Sequence, residues 1–194
     1  MGNNEGDRPL HFAAGRPNMS CLCLLLSAGA NPNTKNANGA EPLHFAIWQS
    51  VGHVQTLTQA GASVTVQDNR GASTVEWAYW CNKHVVGDHL IRAGAEKDLA
   101  DRLNGNPPLF SALTSQAYEF LEMLLWHNVD VLHINHTEST LLHWTARCAD
   151  VRMLRVLQAR KSHLQDLDTS YKDRLSRTAR EVVNSTTCTE EFKN

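Results

Sequence analysis

The chain has 194 residues, 42% of them hydrophobic, with 18 basic against 20 acidic side chains, so it holds enough apolar material for one or two domains and is close to neutral. That balance gives no reason for a phosphate backbone or an acidic membrane as partner, and neither nucleic acid nor membrane insertion is expected. No apolar run approaches the ~18–20 residues that span a bilayer, and Met1-Gly2-Asn3-Asn4-Glu5-Gly6 lacks the basic start and apolar segment of a secretory signal.

The first predicted helix opens at Pro9, where a proline's missing N–H costs nothing, runs through Leu10, Phe12, Ala13 and Ala14, and stops at Pro17. The second, from Met19 to Ala28, is apolar nearly all round, as in a helix sandwiched between neighbours. Gly29 caps it in the left-handed conformation, and the stretch from Asn31 to Gly39 is dense in turn formers. The same order then recurs. Residues 36–68 carry Val51, Val54 and Leu57 on their second helix; residues 69–101 carry Val85, Val86, Leu90 and Ile91; residues 102–134 carry the run from Phe120 to Trp126. From 135 onward, Val151, Met153, Leu154, Val156 and Leu157 mark another second helix, but Arg160-Lys161-Ser162-His163 stands where a Gly-Ala pair belongs, and the next connection is lengthened. The stretch from Arg177 to Val183 reads as a truncated sixth first helix whose charged face suits a cap, and 184–194 reads as a frayed tail.

The helix start repeats as a motif. Arg8-Pro9-Leu10-His11-Phe12-Ala13-Ala14 returns as Glu41-Pro42-Leu43-His44-Phe45-Ala46-Ile47, and with more change at 73–79, 107–113 and 140–146. The apolar anchors Leu10, Leu43, Val75, Leu109 and Leu142 are 33, 32, 34 and 33 residues apart, a fixed period that signals a stacked array. Gly29-Ala30, Gly61-Ala62, Gly94-Ala95 and Asn128-Val129 run in phase with them, as do Gly6, Gly39, Gly71 and Gly105.

Three markers in one phase resemble the ankyrin-repeat family, whose signature is a Thr-Pro-Leu-His-x-Ala-like helix start at a 33-residue period. The resemblance covers roughly residues 3–183. It implies an all-α solenoid of stacked helix–turn–helix units with projecting turns. The expected organisation is a single domain over 1–183, with units about 3–35, 36–68, 69–101, 102–134 and 135–172, a degenerate capping unit at 173–183, and the tail at 184–194. Leu22, Leu24, Leu25 and Leu26 give the first unit no polar cap, so another segment or domain is expected to cover that edge.

His11, His44 and His143 occupy equivalent places on different units, about 10 Å apart for neighbours, whereas zinc ligands lie within ~2.1 Å of one ion. No shared metal is expected there. In the family this histidine hydrogen-bonds within and between units; Glu76 and Phe110 replace it in units three and four. His127, His133 and His136 cluster at the fourth turn, and His133-x-x-His136 is the one spacing that invites a metal, without a matching thiolate or carboxylate pair. No phosphate loop, nucleophile elbow or His-Glu-x-x-His is present, so no catalytic residue, metal or cofactor is expected. The five cysteines (21, 23, 81, 148 and 188) are odd in number, and Cys21-x-Cys23 sets its thiols on different helix faces. A reducing, intracellular setting fits, cytoplasmic with the nucleus as alternative.

Trp77 and Trp144 share the position of Phe12 and Phe45 and are expected in the core. Trp48 and Trp80 fall at the end of the first helix, which in the family lines a concave partner-binding groove together with the turn tips. The resemblance places Arg16, Asn38, Trp48, Gln49, Asn69, Arg70, Trp80 and Cys81 in that register, then Arg102, Asn106, Thr114, His136 and Arg147. Tryptophan and arginine are enriched in binding hot spots. The expected function is a non-catalytic protein–protein interaction module, its partner another protein or peptide, one bearing acidic groups being the natural fit for the arginines. Alternatives are a sensor or adaptor array within a larger signalling, channel or ubiquitin-ligase protein, with further domains of the same chain as partners, and an unusual enzyme or metal protein using the histidine-rich fourth turn.

Overall fold

The computed structural model describes residues 3–102, 104–148, 170 and 172–178. Its contacts gather into two compact units, Met1–Glu96 and Lys97–Asn194. Among the described residues there are nine helices and no strand, so the fold class is all-α, as the sequence predicts.

Unit 1 holds α1 (Pro9–Ala14), α2 (Met19–Ser27), α3 (Pro42–Ile47), α4 (Val51–Gln59), α5 (Thr74–Trp80) and α6 (His84–Arg92). Pro9 and Pro42 open α1 and α3 at the first helical position, and the Ser73 hydroxyl opens α5 by accepting from the Glu76 N–H at 3.2 Å. The helices of six to nine residues are too short to persist alone; packing holds them. α1, α3 and α5 pack side by side, α2 backs α1, α4 backs α3, and α6 backs α5 and touches α4. Leu10, Leu43 and Val75 are buried with Ile47, Val54, Leu57 and Leu90, each side chain contributing about 1.5–3 kcal/mol on leaving water. The helix α2 is not sandwiched, as its composition predicts: Leu22 alone is buried and Leu24 is 68% exposed, because no described element lies on its far side.

Unit 2 holds α7 (Pro108–Thr114), α8 (Tyr118–Trp126) and α9 (Leu141–Cys148). Both α8 and α9 pack on α7, over Leu109, Phe110, Leu113, Phe120, Leu121, Leu124 and Leu141. Gly29, Gly61 and Gly94 end their helices with φ of 82°, 91° and 97°, and Asn128, as the phase predicts, takes the same place at 54°. The second helix expected around 151–157, residues 179–183 of the sixth unit and the tail lie outside the described residues.

Candidate functional site

Each repeat begins with a turn, and every turn is closed by one side chain. The Oδ1 of Asn3 accepts from the N–H groups of Glu5 and Asp7, that of Asn36 from Asn38 and Ala40, and that of Asp68 from Arg70 and Ala72. In unit 2, Asn135 does the same for Thr137 and Ser139, and Asp173 for Leu175 and Arg177. Asp101 plays the part with both carboxylate oxygens, toward Asn104 and Asn106. Consecutive turns also bond to each other, Ala37 N–H to Glu5 C=O and Asn69 N–H to Asn38 C=O in unit 1, His136 N–H to Asn104 C=O and Arg174 N–H to Thr137 C=O in unit 2. Asn3, Asn36 and Asp68 stand three residues before Gly6, Gly39 and Gly71, Asp101 stands four before Gly105, and Asn135 and Asp173 stand three before Glu138 and Ser176, which take the positive φ there; the series carries the sixth turn at 172–178 past the lengthened connection.

The motif histidines tie units together, as the resemblance implies. Nδ1 of His11 accepts from the Arg8 N–H at 3.0 Å, and its Nε2 donates to Ala40 C=O at 3.1 Å. His143 Nδ1 accepts from the Thr140 hydroxyl at 2.8 Å, and its Nε2 donates to Arg177 C=O at 2.9 Å. His44 departs from this. Its Nδ1 accepts from the Glu41 N–H at 3.0 Å, but among the described residues its buried Nε2 has no partner, nor has the buried Oε2 of Glu41. Burial pushes His44 from the usual 6.5 down to about 4, against the pull of Asp68, and burial likewise raises the Glu41 carboxyl.

The aromatic position after the histidine is half-buried, not core. Its ring leans edge-on against the preceding repeat: Phe45 on His11 at 5.4 Å, Trp77 on His44 at 5.0 Å and Trp144 on Phe110 at 6.4 Å between centroids. Phe12 has no described repeat before it and is 46% exposed.

In unit 1, Trp48 and Trp80 stand out from the ends of α3 and α5, 61% and 50% exposed. Trp80 leans on Trp77, 6.1 Å between centroids, while the Trp77 indole N–H is held by Asp68 Oδ2 at 3.2 Å. Arg16, Asn38 and Arg70 of the same unit are exposed as well. Two residues in the same register serve stacking: the Gln49 amide donates to Gly15 C=O at 2.7 Å, and the Asn69 amide to Ala37 C=O at 2.9 Å. Cys81 is half-buried, and its burial pushes the thiol up, away from thiolate chemistry.

In unit 2, the turn tips and α9 enclose an open cleft of about 440 Å³. Arg147, Trp144, Asn106, Thr137, Ser139 and Arg174 are among its lining. Arg147 lies over the Trp144 ring, its Cζ 5.4 Å from the centroid. Of the residues placed in register by sequence, Arg147 and Asn106 line the cleft, and the Asn106 Oδ1 also accepts from the Asn135 amide at 2.8 Å. Arg102, Thr114 and His136 are exposed but do not line it. Sequence reasoning missed Trp144, assigned to the core, Arg177, read as part of a charged capping face, and Arg174, given no role of its own within the capping unit at 173–183. The Asx phase ending at Asp173 is the signal that places them. At the fourth turn, His133 donates its Nε2 to Gly105 C=O at 2.8 Å and packs on Phe110. Among the described residues no group of three His, Cys, Asp or Glu is placed to hold a metal ion.

Two-helix repeats joined by Asx-closed turns, with His11 and His143 each bonding across to the following repeat, define a helical-repeat protein. The signature described as "Ankyrin repeats (3 copies)" matches residues 1–68. The chain belongs to the ankyrin-repeat family. It is 28% identical to human "Transient receptor potential cation channel subfamily A member 1" over 79% of this chain and 15% of that protein. It is 27% identical to the mouse "B-cell lymphoma 3 protein homolog" over 73% of this chain and 33% of that one. The zebrafish "Putative palmitoyltransferase ZDHHC13" is 25% identical over 83% of this chain and 26% of its own length. The chain thus spans a third or less of these relatives. In fold it is similar to a chain from the complex of the Bd0816 predatory endopeptidase of Bdellovibrio bacteriovorus with the immunity protein Bd3460, with a TM-score of 0.75 at 19% identity over 93% of this chain and 92% of that one. Ankyrin-repeat domains are generally non-catalytic protein–protein interaction modules, and no helix among the described residues is long and apolar enough to cross a membrane.

Proposed function

We propose that this protein is a non-catalytic interaction module that binds a segment of a protein partner along the face formed by its turn tips and the ends of its first helices. The observation that carries the reading is the pair Trp48 and Trp80: large apolar side chains on consecutive repeats, half exposed or more, each fixed on a short packed helix. Such a face is preformed, so little ordering entropy opposes binding. The exposed Arg16 and Arg70 of the same unit supply charge for orientation. An intracellular, cytoplasmic or nuclear, site of action belongs to the same proposal and rests on the cysteine count.

The test is to select peptides from a displayed random library on the wild-type chain and titrate the winners against Trp48→Ala, Trp80→Ala and the double variant, each checked for folding by circular dichroism. A buried anchor tryptophan contributes about 2 kcal/mol, so each single variant is expected to bind about 30-fold more weakly. Unchanged affinity in the double variant removes these residues from the binding face. A second reading, an adaptor or sensor array within a larger protein, is favoured by the span: the matched stretch is a third or less of each of these relatives.

A further inference from the structure

Resting on that interaction reading, we infer that unit 2 carries a subsite for the side-chain carboxylates of an acidic peptide, built on Arg147 and Arg174. A cleft of about 440 Å³ falls in the size range of specific ligand sites. Three guanidinium groups and one carboxylate line it. One pair cancels, since Nε and Nη2 of Arg177 both donate to Asp173 Oδ2, at 3.2 and 2.9 Å. Burial alone would raise the Asp173 carboxyl, but these bonds and the N–H groups of Arg177 and Leu175 hold it below the ordinary range, so it stays ionised and committed to Arg177.

Two cations are left over. Arg147 rests on the Trp144 ring, a contact that orients the guanidinium without neutralising it. Arg174 is exposed, and among the described residues its backbone N–H bonds to Thr137 while its guanidinium has no partner. The remaining lining, apart from Leu175 and Trp144, is amide and hydroxyl, which supplies further donors but no counter-charge. Among the described residues the Trp144 indole N–H has no acceptor either. A guanidinium presents a planar fork of donors that matches a carboxylate in two parallel hydrogen bonds. Because the two cations come from separate elements, α9 and the turn at 172–178, the fit is to two acidic side chains on one extended segment. A single terminal carboxylate meets only half of the site.

The experiment is the display selection again, with each peptide joined to its carrier at the C terminus so that only side-chain carboxylates are offered. Winners are titrated by fluorescence anisotropy against wild type, Arg147→Gln/Arg174→Gln, Trp48→Ala/Trp80→Ala and the control Arg92→Gln, an exposed arginine of α6 outside the cleft and the turn tips. The expected result is enrichment of Asp and Glu, affinity that falls with salt, a loss of about tenfold or more in the double arginine variant, and no loss in Arg92→Gln. Both arginine side chains are exposed, so folding is retained, and circular dichroism checks it. Winners without acidic enrichment that depend on the tryptophans overturn this inference and leave the interaction reading standing. Winners indifferent to both double variants, or none at all, overturn both.

Discussion

In unit 1 the slot behind each helix start holds His11, His44 and Glu76, whereas α7 in unit 2 fills the same slot with Phe110, wholly buried. The surfaces run the other way. Unit 1 exposes Trp48 and Trp80, while unit 2 lines its cleft with arginines and amides. A repeat meets only its neighbours, so polarity can move between slot and face without disturbing the backbone pattern. The cost differs by place, because a polar atom in the slot must find its partner inside the protein. In unit 1 that demand is not fully met, at Glu41 Oε2 and His44 Nε2. The two units therefore should respond differently to mutation and to pH.

The largest effect is expected from Phe110→Ala. Its ring contacts both His133 and Trp144 edge-on, and truncating a fully buried phenylalanine costs about 3–5 kcal/mol. Urea denaturation followed by circular dichroism measures it, and a loss under 1 kcal/mol would mean that the slot in unit 2 is loosely filled. Next comes acid sensitivity in unit 1. His44 titrates near 6.5 in the unfolded chain but at about 4 in the fold. Its contribution is complete above 6.5 and drains away as the pH falls toward 4, by about 3 kcal/mol in all. Backbone amides of α3 and α5 should lose exchange protection over this window in wild type. In His44→Phe, which copies the apolar slot of unit 2, that part of the pH dependence should vanish, and its persistence would assign the effect to another group.

Smaller still is the turn. Asp68 accepts three donors, the N–H groups of Arg70 and Ala72 and the Trp77 indole, and Asp68→Ala leaves them to compete for water at a cost of about 1–3 kcal/mol. Asn36 closes the preceding turn without an indole partner, its amide going instead to Asp7. Asn36→Ala is therefore expected to destabilise without loosening any tryptophan. Near-ultraviolet circular dichroism separates the two: only Asp68→Ala should change the indole signal.

The repeat itself was legible because its markers obey local chemistry. Proline at a first helical position, glycine at positive φ and an apolar anchor between them leave little freedom at each site, and Asn128 could be read as the stand-in for glycine for the same reason. The proposed interaction face was legible only in register. Trp48 and Trp80 emerge where the family pattern puts them, but Gln49 and Asn69 sit in that register with their amides already engaged by Gly15 and Ala37. Whether a polar side chain faces a partner or its own neighbour depends on a carbonyl some 30 residues away, and no local pattern carries that. Trp144 was misplaced for a related reason: like Phe45 and Trp77 at the same position it is half-buried, so it reads as core from one side and as surface from the other.

The most delicate test of the contrast is at Glu41, whose counterpart in unit 2 is Thr140. There the hydroxyl lies 2.8 Å from His143 Nδ1 and the slot histidine completes its bond to Arg177. Glu41 instead buries a carboxyl with one oxygen unmatched, and desolvation raises it above the ordinary 4.5, with Lys35 pulling weakly the other way. The sign follows from the order of ionisation. As pH rises, the unfolded chain ionises this group first, so the stability present below 4.5 is lost as the pH climbs through the folded value. Glu41→Thr cannot ionise and transplants the arrangement of unit 2, so it should stabilise unit 1 at neutral pH by about 1 kcal/mol, with the advantage shrinking toward pH 4. Urea titrations at the two pH values decide it. An advantage that does not change with pH would locate the gain in packing, and a loss at neutral pH would show that the buried carboxylate stabilises the fold, which would reverse the account of unit 1 given by its two unmatched atoms.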